Sequence, residues 1–206
     1  MGINHRILVC GESEADNSRD RSIVSALEQV SGARIVDCRF MIDRWPCGAF
    51  GKVDPFRIVE RVLKKVLRFR IKEHIRSRQI GFVVIMKNNW GLRESVARWS
   101  RDAHVPTAYD LWVSRTLAAE RDGTDRTAAV MLEKSIVENV DSVFATSKPY
   151  QEYYAETLSC PRDKIVVVPL AVTDEWLSTP ASAGIKHSKF VVSYWGNFLK
   201  HHGLDV

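Results

Sequence analysis

The run Gly81 to Met86, GFVVIM, is apolar at every position after its glycine, the pattern of a strand covered on both faces rather than one with a wet side. Five other short apolar runs read as strands: Arg6 to Cys10, Arg34 to Asp37, Val105 to Tyr109, Asp141 to Thr146 and Ile165 to Val168. Helical patterns stand between most of them. Ser18 or Asp20 can cap a helix through about Val30, and Asp54-Pro55 opens a long one to about Arg76. Others run from after Gly91 to about Ala103, from Ser114 to Asp122 and from Arg126 to about Asn139, and a last one is capped by Ser147 or Lys148 with Pro149 in its first turn. Parallel strands need crossovers of this size, so the alternation predicts an α/β chain with a doubly wound, mainly parallel, Rossmann-like sheet. The segment from Arg39 to Asp54, with two glycines, a proline and aromatics, is expected as an ordered surface excursion.

A doubly wound sheet takes ligands at the carboxyl ends of its strands, near the switch in strand order, which directs attention to the residues after strands one and four. After strand one stands Gly11-Glu12-Ser13, with Arg19 or Arg21 further on as a candidate anion contact; the plainer reading is a tight strand-to-helix turn with solvated charges. No GxGxxG fingerprint or Walker sequence occurs, which argues against NAD and ATP. After strand four comes Ala108-Tyr109-Asp110-Leu111-Trp112. A carboxylate exposed beside an indole suits a sugar, by accepting hydroxyl hydrogen bonds and by stacking. The alternative is that Asp110 caps the next helix while Trp112 packs beneath it.

The 206 residues suit one large domain or one and a half, and no apolar run reaches the ~20 residues of a membrane span. The opening MGINHRILVCG reads as a strand start rather than a signal peptide, so a cytoplasmic location is expected. Cys10, Cys38, Cys47 and Cys160 form no CxxC pair and are expected as reduced, structural thiols. His104 is expected at the surface; adjacent His201 and His202 project in different directions, and no metal is expected.

Charge is concentrated rather than spread. From Arg57 to Arg78 nine basic residues stand against Glu60 and Glu73, a net +7 that exceeds the whole chain's +5. Ile58, Val59, Val62, Leu63, Val66, Leu67, Phe69 and Ile71 give the same helix an apolar face wider than packing on a sheet requires. A basic amphipathic helix reads as an element that docks on an anionic membrane surface, with Lys64, Lys65, Arg68 and Lys72 as its contacts. The other reading packs one side on the sheet and leaves the rest solvated. No nucleic-acid motif accompanies the charge, so nucleic acid is not expected as a partner.

The last stretch, Phe190 to Val206, has the pattern of a buried strand, a glycine turn at Gly196 and the first residues of a helix, as at the opening of a second domain. Before it, Lys164 to Trp176 is a strand ending at Pro169 and an acidic turn, and Ser178 to Ser188 reads as a linker. Together they resemble the interdomain crossing of the two-domain (GT-B) glycosyltransferases, in particular the retaining, nucleotide-sugar-dependent enzymes of family 4. The matching residues are Val168-Pro169, Val172, Asp174, Gly196, Lys200, Gly203, Leu204 and Asp205. Leu170-Ala171 stands where the family usually has Asn-Gly, and Asn197 where it often has Arg. Leu132 to Tyr154 resembles the family's "E--i---aD-vi--S" segment through Glu133, Asp141, Ser147 and Tyr150, and Asp110-Leu111-Trp112 resembles its "D-L-W" phrase.

The resemblance implies an acceptor-side domain over 1–177, a linker over 178–188 and the start of a donor-binding domain over 189–206. It implies transfer of a sugar from a nucleotide-diphosphate sugar to a hydroxyl of a lipid-linked or cell-surface glycan precursor, with no cofactor beyond that co-substrate and a peripheral seat on the inner membrane face. By resemblance Asp110 is catalytic, Gly11, Ser13 and Trp112 bind the acceptor, and Gly196, Asn197 and Lys200 bind the donor diphosphate. The family's acidic pair for the donor lies in the second domain, so these residues alone are expected to be inactive. A rival reading is a non-catalytic acceptor-binding or membrane-anchoring subunit that partners a separate donor-binding chain; a third is an epimerase of similar architecture.

Overall fold

A computed structural model describes residues 6–13, 18–32, 34–41, 55–77, 79–86, 92–112 and 114–169. The elements are β1 (Arg6–Ser13), α1 (Ser18–Ser31), β2 (Arg34–Met41), α2 (Pro55–Arg76), β3 (Ile80–Ile85), α3 (Leu92–Asp102), β4 (Thr107–Asp110), α4 (Arg115–Asp122), α5 (Arg126–Val137), β5 (Ser142–Ala145), α6 (Lys148–Thr157), a 3₁₀ turn (Arg162–Lys164) and β6 (Ile165–Val167). The six strands form one sheet in the order β2-β1-β3-β4-β5-β6, each pair parallel. The order reverses between β1 and β3, so the crevice of the α/β rule lies at their carboxyl ends. The chain divides into two units, Met1–Thr173 and Asp174–Val206, and every described residue belongs to the first.

The expected sheet is present, and its departures have local causes. β1 and β2 run on to Ser13 and Met41 because they continue to pair with each other, Gly11 with Arg39 and Ser13 with Met41, after β3 has ended opposite Cys10. Gly11 is therefore inside a strand rather than in a turn, at φ 141°, a conformation that side-chain-bearing residues rarely adopt. β4 starts at Thr107 rather than Val105 because Pro106 has no N–H to give the ladder; its carbonyl still accepts from Val83 N at 2.9 Å. Asp141 precedes β5 and sets its register: Thr107 N donates to Asp141 Oδ2 at 2.8 Å while Asp141 N donates to Thr107 O at 2.9 Å.

Helix boundaries follow capping chemistry in part. Ser114 caps α4 by accepting from Thr116 N and Leu117 N, Gly123 closes it at φ 64°, and Asp125 caps α5 through Ala128 N. Ser147 holds the N-cap position of α6 but its hydroxyl makes no capping bond. Ser18 and Asp20 both lie inside α1 rather than ahead of it. Asp54 and most of the excursion expected over residues 39–54 lie outside the described residues; its first part is the end of β2.

Side chains alternate between two buried layers, which explains a strand as uniformly apolar as β3. Ile7, Val9, Val84 and Met86 meet Ile23 of α1 on one face. Leu8, Cys10, Val83, Ile85, Tyr109 and Val143 meet Ile71, Ile75, Val96, Ile136 and Tyr154 on the other. Burial of this second layer fixes α2 by its carboxyl half, where Leu67, Ile71 and Ile75 recur every fourth position. Its opposite side stays open, with Val62 53%, Val66 50% and Phe69 64% exposed.

Candidate functional site

The carboxyl edge of the sheet is organised by a side chain from α1. Arg19 reaches Asp110, the last residue of β4: Nε donates to both carboxylate oxygens at 3.1 Å and Nη2 donates to Oδ1 at 2.5 Å. Both side chains are only 1% exposed. The third nitrogen, Nη1, donates to Val168 O at 3.0 Å, just past β6. Burial raises the Asp110 carboxyl above its ordinary value, against the pull of the Arg19 hydrogen bonds and charge.

Beside this pair a second buried cation meets a phenol. Arg93, in the first turn of α3, is 4% exposed and donates Nη1 to Tyr109 Oη. Burial pushes Tyr109 up to about 12, so it stays a neutral phenol. Tyr154 of α6 donates its hydroxyl to Leu111 O at 3.0 Å, and burial raises it as well. Tyr150 stacks on Tyr154 with ring centres 5.9 Å apart and remains 41% exposed. Below the edge, the completely buried Glu133 accepts from Ser114 Oγ at 2.7 Å, Arg115 N at 2.5 Å, and Thr116 N and Oγ1 at 3.3 and 2.7 Å. A carboxylate on α5 therefore gathers the free donors at the start of α4, with the sign that the helix dipole favours.

The family model of the glycosyl transferase 4-like domain matches residues 1–171, the stretch that holds the whole sheet. The chain belongs to this family. No curated protein sequence matches it. Among solved structures, a UDP complex of S. aureus MnaA is similar with a TM-score of 0.51 at 13% identity, covering 79% of this chain and 43% of that one. Anabaena HepE with UDP and glucose gives 0.47 at 15% identity over 85% of this chain and 47% of its own. Glycyrrhiza uralensis UGT73P12, complexed with glycyrrhetinic acid 3-O-monoglucuronide, gives 0.47 at 8% identity over 80% and 48%. The chain thus spans just under half the length of these structures, and MnaA supports the GT-B fold of its first domain.

Within this glycosyl transferase 4-like domain the sequence-predicted residues separate. Asp110 is at the end of β4 as expected, but it is buried and ion-paired instead of exposed, and it caps no helix, because Ser114 takes that task. Arg19, expected as an anion contact, spends its guanidinium on Asp110 and Val168. Arg21 is exposed on α1, and Trp112 is half-buried just past β4. Ser13 ends β1, its side chain lying outside the described residues, as do Gly196, Asn197, Lys200, His201 and His202.

Lys64, Lys65, Arg68 and Lys72 lie within about 100° of one another around α2, on the side towards α3. Arg68 donates to Ser95 Oγ at 3.2 Å, and its guanidinium and the Lys72 ammonium lie 5.6 and 5.5 Å from the centre of the Trp99 ring of α3. Lys64 is half-buried, and Lys65 is exposed. Sequence periodicity marked this helix as amphipathic but gave no way to tell its inner basic residues from its outer ones.

Cys10, Cys38 and Cys160 are free and buried, and burial raises the thiols of all three. Among the described residues no group of His, Cys, Asp and Glu is placed to hold a metal ion, and no helix is long and apolar enough to cross a membrane. A cavity of about 410 Å³ lined by Arg101, His104, Glu138 and Asp141 lies at the opposite, amino edge of β4 and β5. The roles missed in the sequence are those of Arg19 and Arg93 as buried cations, and no motif or spacing announces either one.

Proposed function

We propose that this domain is the acceptor-binding half of a retaining glycosyltransferase that moves a sugar from a nucleotide-diphosphate sugar onto a hydroxyl of a lipid-linked or cell-surface glycan precursor. The observation that carries the reading is the family match over residues 1–171, coinciding with a parallel sheet whose carboxyl edge holds a built polar cluster. The UDP bound by MnaA, which shares the fold, fits a nucleoside-diphosphate donor. Departure of that diphosphate needs positive charge, for which Lys200 behind Gly196 and Asn197 is the proposed source. The acceptor lies over the edge formed by Gly11, Ser13 and Trp112. In place of a base that meets substrate, Asp110 acts on this edge through Arg19.

The lipid-linked acceptor is favoured by the outer side of α2. Val62, Val66 and Phe69 form an exposed apolar ridge, and Lys65 and Arg70 are exposed with it. Such a ridge with cations suits the boundary between headgroups and acyl chains of an anionic membrane. The test is incubation of the protein with a panel of labelled nucleoside-diphosphate sugars and a bacterial lipid extract. Retention of extract lipid without label entering the lipid fraction is expected from these residues alone; failure to retain any lipid-linked acceptor, or transfer of label by these residues alone, overturns the reading.

A further inference from the structure

Val168, the residue after the last strand, is held at both of its backbone groups. Its N–H donates to Ala145 O at 2.8 Å, and its carbonyl accepts from Arg19 Nη1 at 3.0 Å. The first bond continues the β5–β6 ladder; the second comes from a guanidinium that is also bound to Asp110. Among the described residues β6 has three residues and borders β5 alone at the end of the strand order, the kind of edge that opens readily. We propose that Arg19 is a positioning residue: anchored on Asp110, it fixes where and in which direction the chain leaves the sheet at Val168.

The physical argument is one of geometry rather than stability. A buried ion pair is commonly matched or exceeded in stability by apolar residues of similar volume, so stability alone gives little reason for one here. What the pair adds is a third, directed arm. The planar guanidinium holds the carboxylate with Nε and Nη2 and still presents Nη1 at a fixed angle to a carbonyl 149 residues away in sequence. A lysine ammonium is a point charge without that fork. The carbonyl it reaches lies six residues before the second unit, which begins at Asp174. The consequence for sugar transfer rests on the function proposed above; the anchoring does not.

Hydrogen exchange read residue by residue tests this on the chain as it stands, comparing wild type with Arg19→Lys and with the double variant Arg19→Met/Asp110→Leu. The double variant removes the anchor while replacing the buried charges by apolar side chains, which keeps the sheet folded. In both variants the amide of Val168, which bonds Ala145 O, is expected to exchange about tenfold faster or more, the scale of one lost charge-assisted hydrogen bond, with β1 and β3 amides unchanged. Unchanged exchange at Val168, or an increase shared equally by β1 and β3, overturns the proposal. The readout needs no sugar transfer, so failure of the anchor and failure of the enzymatic reading are seen separately.

Discussion

Arg19 and Asp110 come from α1 and the end of β4, 91 positions apart, and meet through three hydrogen bonds of 2.5 to 3.1 Å with both side chains 1% exposed. Removing one partner takes from the other the charge and the three hydrogen bonds that compensate its burial. Arg19→Met or Asp110→Leu alone is therefore expected to lower the unfolding free energy by about 3–5 kcal/mol, whereas the double change costs far less. Urea unfolding of the three variants measures the difference, and equal losses in single and double variants contradict it.

Glu133 is the next most consequential carboxylate. Its two oxygens satisfy donors of Ser114, Arg115 and Thr116, and Glu133→Ala leaves these without their acceptor at a buried helix start. A loss of roughly 3 kcal/mol or more is expected, with Glu133→Gln, which keeps one oxygen, in between. Thermal unfolding followed by circular dichroism decides it; an alanine variant as stable as wild type rules the role out.

The phenol of Tyr109 gives an alkaline signature. Its value rises from 10 to about 12 on folding, chiefly through burial, so the folded state holds the proton more tightly than the unfolded chain. Its contribution is fully present below pH 10 and is lost as pH rises through 12, at most about 3 kcal/mol for a two-unit shift. Stability should fall across that window, with tyrosinate absorbance appearing alongside unfolding. In Tyr109→Phe the slope should be smaller; the same slope in both proteins assigns it to other groups.

Opposite sides of α2 should answer to different assays. Ile71→Ala opens a cavity against the sheet and is expected to cost about 2–5 kcal/mol. Phe69→Ser, on a side chain 64% exposed, should leave stability within about 0.5 kcal/mol while reducing partition onto anionic vesicles roughly tenfold. Co-sedimentation at low and high salt measures the second effect. Equal binding by wild type and Phe69→Ser removes the membrane from the account.

Within α2 the limits of reading from sequence are plain. Its length and charge were legible, since both follow from residue types at helical spacing. Which side the sheet would take was not, because apolar residues cover most of its circumference; packing against the sheet and α3 buried Ile71 and left Val66 and Phe69 outside, with Arg68 and Lys72 over Trp99. Asp110 shows the same division. Its place at a strand end was readable, but the expectation of an exposed carboxylate failed because Arg19 arrives over it from α1.

By itself the sequence determined the alternation of strands and helices, the parallel sheet and the family, since these rest on local periodicity, on turn chemistry and on crossover lengths that a chain of this pattern can satisfy in few ways. The tertiary structure alone decided which charges are paired. Ion pairs such as Arg19 with Asp110, and the clamp of Glu133 on the start of α4, join residues whose separation in sequence carries no periodic signal. They form because burial leaves each polar group only the partner that the packing of the sheet and helices brings within reach.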